Sequence, residues 1–167
     1  MSILQTTFVL ALSLSAAYGQ TFAQPVREVD RDARTALHGT CFISVAPGFN
    51  SNGAPCSMTS ISGAKLGDSV PSGKILVVED ASATCVKNSG DALGSLFLTT
   101  NTTEIFRVIP LTIQGTEDNF NRLAGSTTGR AYYRPSQRVF ARMNMTSVIA
   151  YFASCAVHLT GHLVDAQ

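Results

Sequence analysis

The fold is decided by residues 70–79, Val-Pro-Ser-Gly-Lys-Ile-Leu-Val-Val-Glu (VPSGKILVVE). The first four residues have turn chemistry, because proline presets its own φ and glycine tolerates a positive one. The next six residues, 74–79, are rich in branched aliphatic side chains and too few for a helix, which indicates a β-strand. Their apolar run is continuous rather than alternating, so we expect this strand to be covered on both faces.

Further short strand-like segments lie on both sides of this stretch, separated by turn-forming residues. The predicted strands are 41–45, 82–86 (an extension or a partner of 74–79), 95–100, 104–113, 119–123, 130–133, 138–143 and 147–164, the last with a candidate bend at Gly161. Residues 47–55 are dense in Pro, Gly and Asn, which predicts a loop. The pattern predicts an all-β fold, a single antiparallel β-sandwich of the jelly-roll or Greek-key type, after an N-terminal signal helix.

The first segment of the chain is typical of a secretory signal peptide. Residues 8–17 are apolar or small, and no charged side chain precedes Arg27. The run is too short to cross a bilayer, and small residues suited to cleavage follow it. We expect cleavage after Gly19 or Ala23, with the first preferred, and no membrane span in the mature chain. The domains are then a signal peptide (1–19), a charged and partly flexible arm (20–39) and a β-sandwich (40–167).

The segment VPSGKILVVE resembles the opening of a strand in small exported bacterial proteins, most of them uncharacterised. A cysteine soon after that strand often accompanies a closing segment similar to residues 153–164, ASCAVHLTGHLV. The resemblance implies a β-sandwich, a bacterial source and a secreted or periplasmic location. It implies no activity, because the shared residues have strand and turn chemistry.

Composition excludes some classes of partner. The formal net charge of the 167 residues is +1, and charged residues are 14% of the chain against about 25% in ordinary globular proteins. Neither a basic patch for nucleic acid nor a polybasic segment for anionic lipid is present. We therefore expect no nucleic-acid partner.

Four cysteines allow three disulfide pairings, of which we expect Cys41–Cys56 and Cys85–Cys155. The first pair closes the turn-rich loop, and the second joins the region after the central strand to the last strand. The alternative, a metal site or reactive thiol, is disfavoured because no C-x-x-C pair is present. We expect no cofactor and no metal.

Two histidines of the last predicted strand, His158 and His162, share one strand face. Four residues of extended chain separate their Cα atoms by about 13 Å. Two nitrogens that each lie about 2.1 Å from one zinc ion cannot be so far apart. We expect both histidines, and His38 in the arm, to be solvated.

The best recognition candidate is a turn with adjacent aromatic and basic side chains, which can stack on flat ligands or sugars. Its residues are Tyr132, Tyr133 and Arg134, and Arg138 and Arg142 extend it as a basic patch around Phe140. The alternative is that one tyrosine packs in the core while the other covers a strand edge.

The function hypothesis is an exported, noncatalytic binding or surface-interaction module for a glycan or a cell-envelope partner. Two alternatives remain open: a small secreted hydrolase with a loop-built site, and a structural subunit that assembles through a sheet edge. No Gly-x-Ser-x-Gly elbow supports the hydrolase. It would require His158 or His162 in a concave pocket beside a serine or carboxylate.

Overall fold

The architecture consists of β-strands and their turns. The computed structural model describes residues 35–101, 104–146 and 152–166, and none of these residues is helical. No described segment forms a helix that could cross a membrane. The strands are β1 (Thr35–Val45), β2 (Ser51–Pro55), β3 (Ser57–Ser60), β4 (Lys65–Gly67), β5 (Lys74–Asn88), β6 (Leu93–Thr100), β7 (Ile105–Ile109), β8 (Thr112–Glu117), β9 (Phe120–Tyr133), β10 (Val139–Met145) and β11 (Ala153–Asp165).

The strands form two antiparallel sheets, which confirms the predicted all-β class. The larger sheet has seven strands in the order β4-β3-β1-β11-β5-β9-β8, and the smaller has four in the order β2-β10-β6-β7. Strands that are distant in the chain lie side by side, as β1 does beside β11 and β5 beside β11. Register between distant strands therefore decides which side chains meet.

The predicted strand 74–79 is the first half of β5, and 82–86 extends it. Leu76, Val77 and Val78 are all buried, so the expected cover on both faces is confirmed. A β-bulge then leaves Glu79 without a direct partner, because the register to both β11 and β9 shifts between Val78 and Asp80. The bulge resets the alternation, and beyond it every second residue of β5 faces the core.

Several segments differ from the sequence prediction. The predicted strand 104–113 is divided into β7 and β8, which belong to different sheets, and the predicted strands 119–123 and 130–133 are one strand, β9. Strands β3 and β4 lie in residues for which no strand is predicted.

β1 begins at Thr35, so the last five residues of the predicted arm belong to a strand. They form a strand because they pair with β11, which is distant in sequence and leaves no local signal. Within the predicted loop 47–55, Ser51–Pro55 is the edge strand β2, paired with β10 on one side only. A proline is tolerated there because an edge strand leaves one row of backbone donors unused. Residues 1–34, which include the predicted signal peptide, lie outside the described residues.

Gly161 marks a close backbone approach within β11. The pairing register shifts between Thr160 and Gly161, opposite the bulge of β5. A Cβ at Gly161 would lie 2.1 Å from the carbonyl oxygen of Val77. The strand continues to Asp165, so the glycine serves the pairing irregularity and does not end the strand.

One hydrophobic core contains buried side chains from strands of both sheets. Both predicted disulfides are formed and are buried in it. Cys85 and Cys155 are direct cross-strand partners on β5 and β11. The sulfur of Cys155 lies 3.4 Å from the sulfur of Met143, which belongs to the other sheet.

Candidate functional site

The predicted recognition patch is divided by the fold. Tyr132 and Tyr133 are consecutive residues of β9, so their side chains point to opposite faces of the seven-stranded sheet. Tyr132 is half-exposed on the outer face, whereas Tyr133 is completely buried in the core. Tyr133 therefore cannot contact a ligand, and its assignment to a binding site is wrong.

The arginines of the predicted patch are also separated. Arg134 is exposed in the turn after β9, and Arg138 lies beside Asp68 with an Nε–Oδ2 distance of 3.4 Å. Arg142 is on β10 of the smaller sheet, where its direct neighbours are Phe97 and Gly53. Tyr132 and Arg142 therefore belong to different sheets, and the five residues do not form one surface.

Tyr133 has a structural role that involves Arg107. No sequence pattern singles out Arg107 as a functional or structural residue. The Tyr133 ring packs against Phe106 with ring centroids 4.7 Å apart. Burial raises the pKa of the Tyr133 hydroxyl well above its ordinary range, and the positive charge of Arg107 opposes that rise. The nearly buried Arg107 donates a hydrogen bond of 3.0 Å from Nη1 to the carbonyl oxygen of Glu79 at the bulge. This guanidinium thereby links β7, an edge strand of the smaller sheet, to β5, an interior strand of the larger sheet.

A different surface has the shape of a binding site: a groove of about 870 Å³ on the outer face of the seven-stranded sheet. Its floor is a cross-strand row of small side chains, Ala156, Thr84 and Ala124, on the adjacent strands β11, β5 and β9. At one end of this row stands the large side chain of Phe42. Phe42 lies on β1, directly opposite Ala156 of β11. Small residues between larger ones make this part of the sheet concave.

Aromatic and polar side chains form the walls of this groove, which we call the β5 groove. Phe42 is 74% exposed and Phe120, on the other side, 40%. Gln114, Asp118 and Arg122 supply polar groups, and Arg122 donates a hydrogen bond to the Glu117 carboxylate. The apolar and polar groups together are typical of a site for a small molecule or an oligomer.

The turn between β8 and β9 presents part of this wall. Asp118 and Asn119 have φ values of 46° and 68°. Positive φ at both central residues defines the tight type I′ hairpin turn, which Asp and Asn tolerate better than other non-glycine residues. The rim carboxylate of Asp118 is therefore held on a short hairpin.

A smaller recess of about 220 Å³ lies next to the β5 groove on the same strands. Its lining includes His158, Ser82 and Ser126, which form the next cross-strand row along β11, β5 and β9. In the row beyond, Thr160 donates a weak hydrogen bond of 3.4 Å to Asp80 Oδ2. The structure therefore brings a histidine, two serines and a carboxylate together, although His158 forms no hydrogen bond with a serine in the described part of the chain.

The other two histidines differ in exposure. His38 is exposed, as expected. His162 is buried, so the expectation that it is solvated is wrong. It lies opposite Val77 in the sheet, and its Nδ1 is 3.5 Å from Glu79 Oε2. The bulge brings Glu79 there, and neighbouring sequence does not specify that contact.

Metal and thiol chemistry receive no positive support from the described residues. No group of three or more His, Cys, Asp or Glu side chains in residues 35–101, 104–146 and 152–166 is arranged to hold a metal ion. The four cysteines are all in disulfides. A scan of protein-family models finds no match to this chain, and a search of curated proteins finds no significant relative. Function therefore has to be argued from the geometry of the groove.

Proposed function

We propose that this protein is an exported, noncatalytic binding module whose β5 groove takes a carbohydrate. The observation that carries the proposal is Phe42, a large aromatic side chain that is 74% exposed beside a concave floor of small residues. Exposing an aromatic ring to water forgoes the free energy of its burial. A ligand that covers the ring would recover part of it.

The chemistry of the groove favours a sugar over a purely apolar ligand. The face of an aromatic ring offers a flat apolar surface, and the C–H face of a pyranose can pack against it. Gln114, Asp118 and the paired Glu117 and Arg122 line the same groove and supply hydrogen-bond donors and acceptors. Charged partners make the stronger hydrogen bonds, so such a rim suits a ligand rich in hydroxyl groups.

A glycan array followed by calorimetry tests this function, with Phe42→Ala as the key variant. We expect a retained glycan to lose at least about tenfold in affinity, because burial of an aromatic side chain is worth about 1.5–3 kcal/mol. Phe49→Ala is the matched control, since Phe49 is also exposed, at 65%, and does not line the groove. Equal losses in the two variants, or an array that retains no glycan, would contradict the proposal.

Export and the packing of the sheets belong to the same proposal. Two disulfides fit an oxidising location, periplasmic or extracellular, and agree with the apolar leader of residues 8–17. The contact between the sulfurs of Cys155 and Met143 supports a β-sandwich, because these residues belong to different sheets. The bacterial source rests on the resemblance of residues 70–79 to small exported bacterial proteins.

A further inference from the structure

The β5 groove does not end at the floor row Ala156-Thr84-Ala124. The next row, His158-Ser82-Ser126, lies two residues along each strand and lines the smaller recess. Two residues of extended chain span about 7 Å, so the groove and the recess are neighbours on one continuous face. From Val86 at one end to Asp80 at the other, the face follows β5 for about 20 Å.

Side chains along this face change in character from one end to the other. At the groove end, Phe42 and Phe120 supply apolar surface. At the recess end, hydroxyl groups of Ser82 and Ser126 accompany the Asp80 carboxylate. A single sugar ring cannot reach both ends of a face about 20 Å long, whereas a linear chain laid along the strands can.

The charged groups of the two cavities restrict which kind of oligosaccharide can bind. Among the described residues, the carboxylates of Asp80, Glu117 and Asp118 line the two cavities. Arg122 is the one described Lys or Arg in the lining, and it is paired with Glu117. Asp80 at the recess end and Asp118 at the groove end have no ion pair within the described part of the chain, and their negative charges would repel a polyanionic glycan. An uncharged chain can still donate its hydroxyl protons to them.

We propose that the ligand is a linear, uncharged oligosaccharide that lies along β5 and occupies the recess at Ser82 as well as the groove at Phe42. This inference rests on the proposed function and deepens it. The groove supplies the apolar contact shared by short and long ligands. The recess supplies hydrogen bonds that only a longer ligand reaches.

Calorimetry with uncharged β-1,4-linked N-acetylglucosamine oligomers tests this, using the disaccharide and the hexasaccharide as probes. We expect the hexasaccharide to bind about tenfold more tightly, as one or two added hydrogen bonds would provide. Ser82→Val should remove that gain and leave disaccharide affinity unchanged, because valine removes a hydroxyl of the recess and narrows it, whereas Ser82 does not line the groove. Ser57→Val is the matched control, since Ser57 is exposed on β3 and lines neither cavity.

The possible failures are distinguishable. If both lengths bind equally and binding still requires Phe42, the groove functions as proposed and the extended ligand is wrong. If Ser82→Val weakens the disaccharide as much as the hexasaccharide, the recess is not a separate subsite. If neither length binds, this inference and the function on which it rests both fail for this sugar class. A hexameric galacturonate that binds as tightly as the uncharged hexasaccharide would overturn the exclusion of anionic chains.

Discussion

Replacing Cys85 and Cys155 together by alanine should destabilise the protein more than replacing Cys41 and Cys56. The two disulfides form a matched pair, because all four cysteines are buried and the Cα separations are 4.1 and 4.2 Å. They differ in the length of chain they close, with sequence separations of 70 and 15 residues. A longer closed loop removes more conformational entropy from the unfolded chain.

The size of the difference follows from the two loop lengths. The chain-entropy relation gives about 4.4 kcal/mol for the longer loop and about 3.0 kcal/mol for the shorter. The cost of exchanging two buried cysteines for alanines is common to both variants and cancels to first order. The Cys85→Ala/Cys155→Ala protein should therefore have a free energy of unfolding about 1.4 kcal/mol below that of Cys41→Ala/Cys56→Ala.

Urea unfolding of the wild type and both double variants under non-reducing conditions measures this difference. The chain has no tryptophan, so far-UV circular dichroism is the suitable signal. Linear extrapolation gives the free energy of unfolding for each protein, and the slopes report on the surface exposed. Equal losses, or a larger loss on removing Cys41–Cys56, would refute the assignment of the stabilisation to loop closure in the unfolded state.

Two further predictions concern the core and the leader. Tyr133→Phe should raise the free energy of unfolding by about 1 kcal/mol at pH 7, because the buried hydroxyl has no hydrogen-bond partner in the described structure. Burial raises the pKa of Tyr133, so the unfolded chain loses this proton first, and wild-type stability should fall as pH rises above the ordinary value of 10.0, more steeply than in the variant. A variant less stable than the wild type at pH 7 would show that the hydroxyl is satisfied. The mature protein should begin directly after Gly19 or Ala23, as amino-terminal sequencing of protein recovered outside the cytoplasm would show. An intact Met1 would rule out the signal peptide.

Much of the strand content could be predicted because it depends on local pattern. Residues 74–79 combine a preceding turn with a continuous apolar run, and they form the first part of the interior strand β5. The composition of Ser51–Pro55 favours turns and predicts a loop, yet pairing with β10 makes this segment a strand. Edge strands tolerate such composition, since one side of their backbone needs no partner.

The candidate site could not be predicted in the same way. The patch around Tyr132 and Tyr133 is defined by residues that are close in sequence, but consecutive strand residues face opposite sides of a sheet. The β5 groove draws Phe42, Thr84, Ala124 and Ala156 from four strands spread over most of the chain. Each of these residues is unremarkable in its own segment.

Local sequence patterns were enough to predict the all-β class, the strand at residues 74–79 and the two disulfide pairings that the structure contains. The strand content follows from turn chemistry and side-chain periodicity, which are local signals. The disulfide pairings could be predicted because four cysteines allow only three pairings. Which outward-facing side chains share a row depends instead on how distant strands pair. The reason is physical: a shift of one residue in pairing register would move Thr84 from the floor of the groove to the core face. That register is set by packing across both sheets and by the bulge at Glu79.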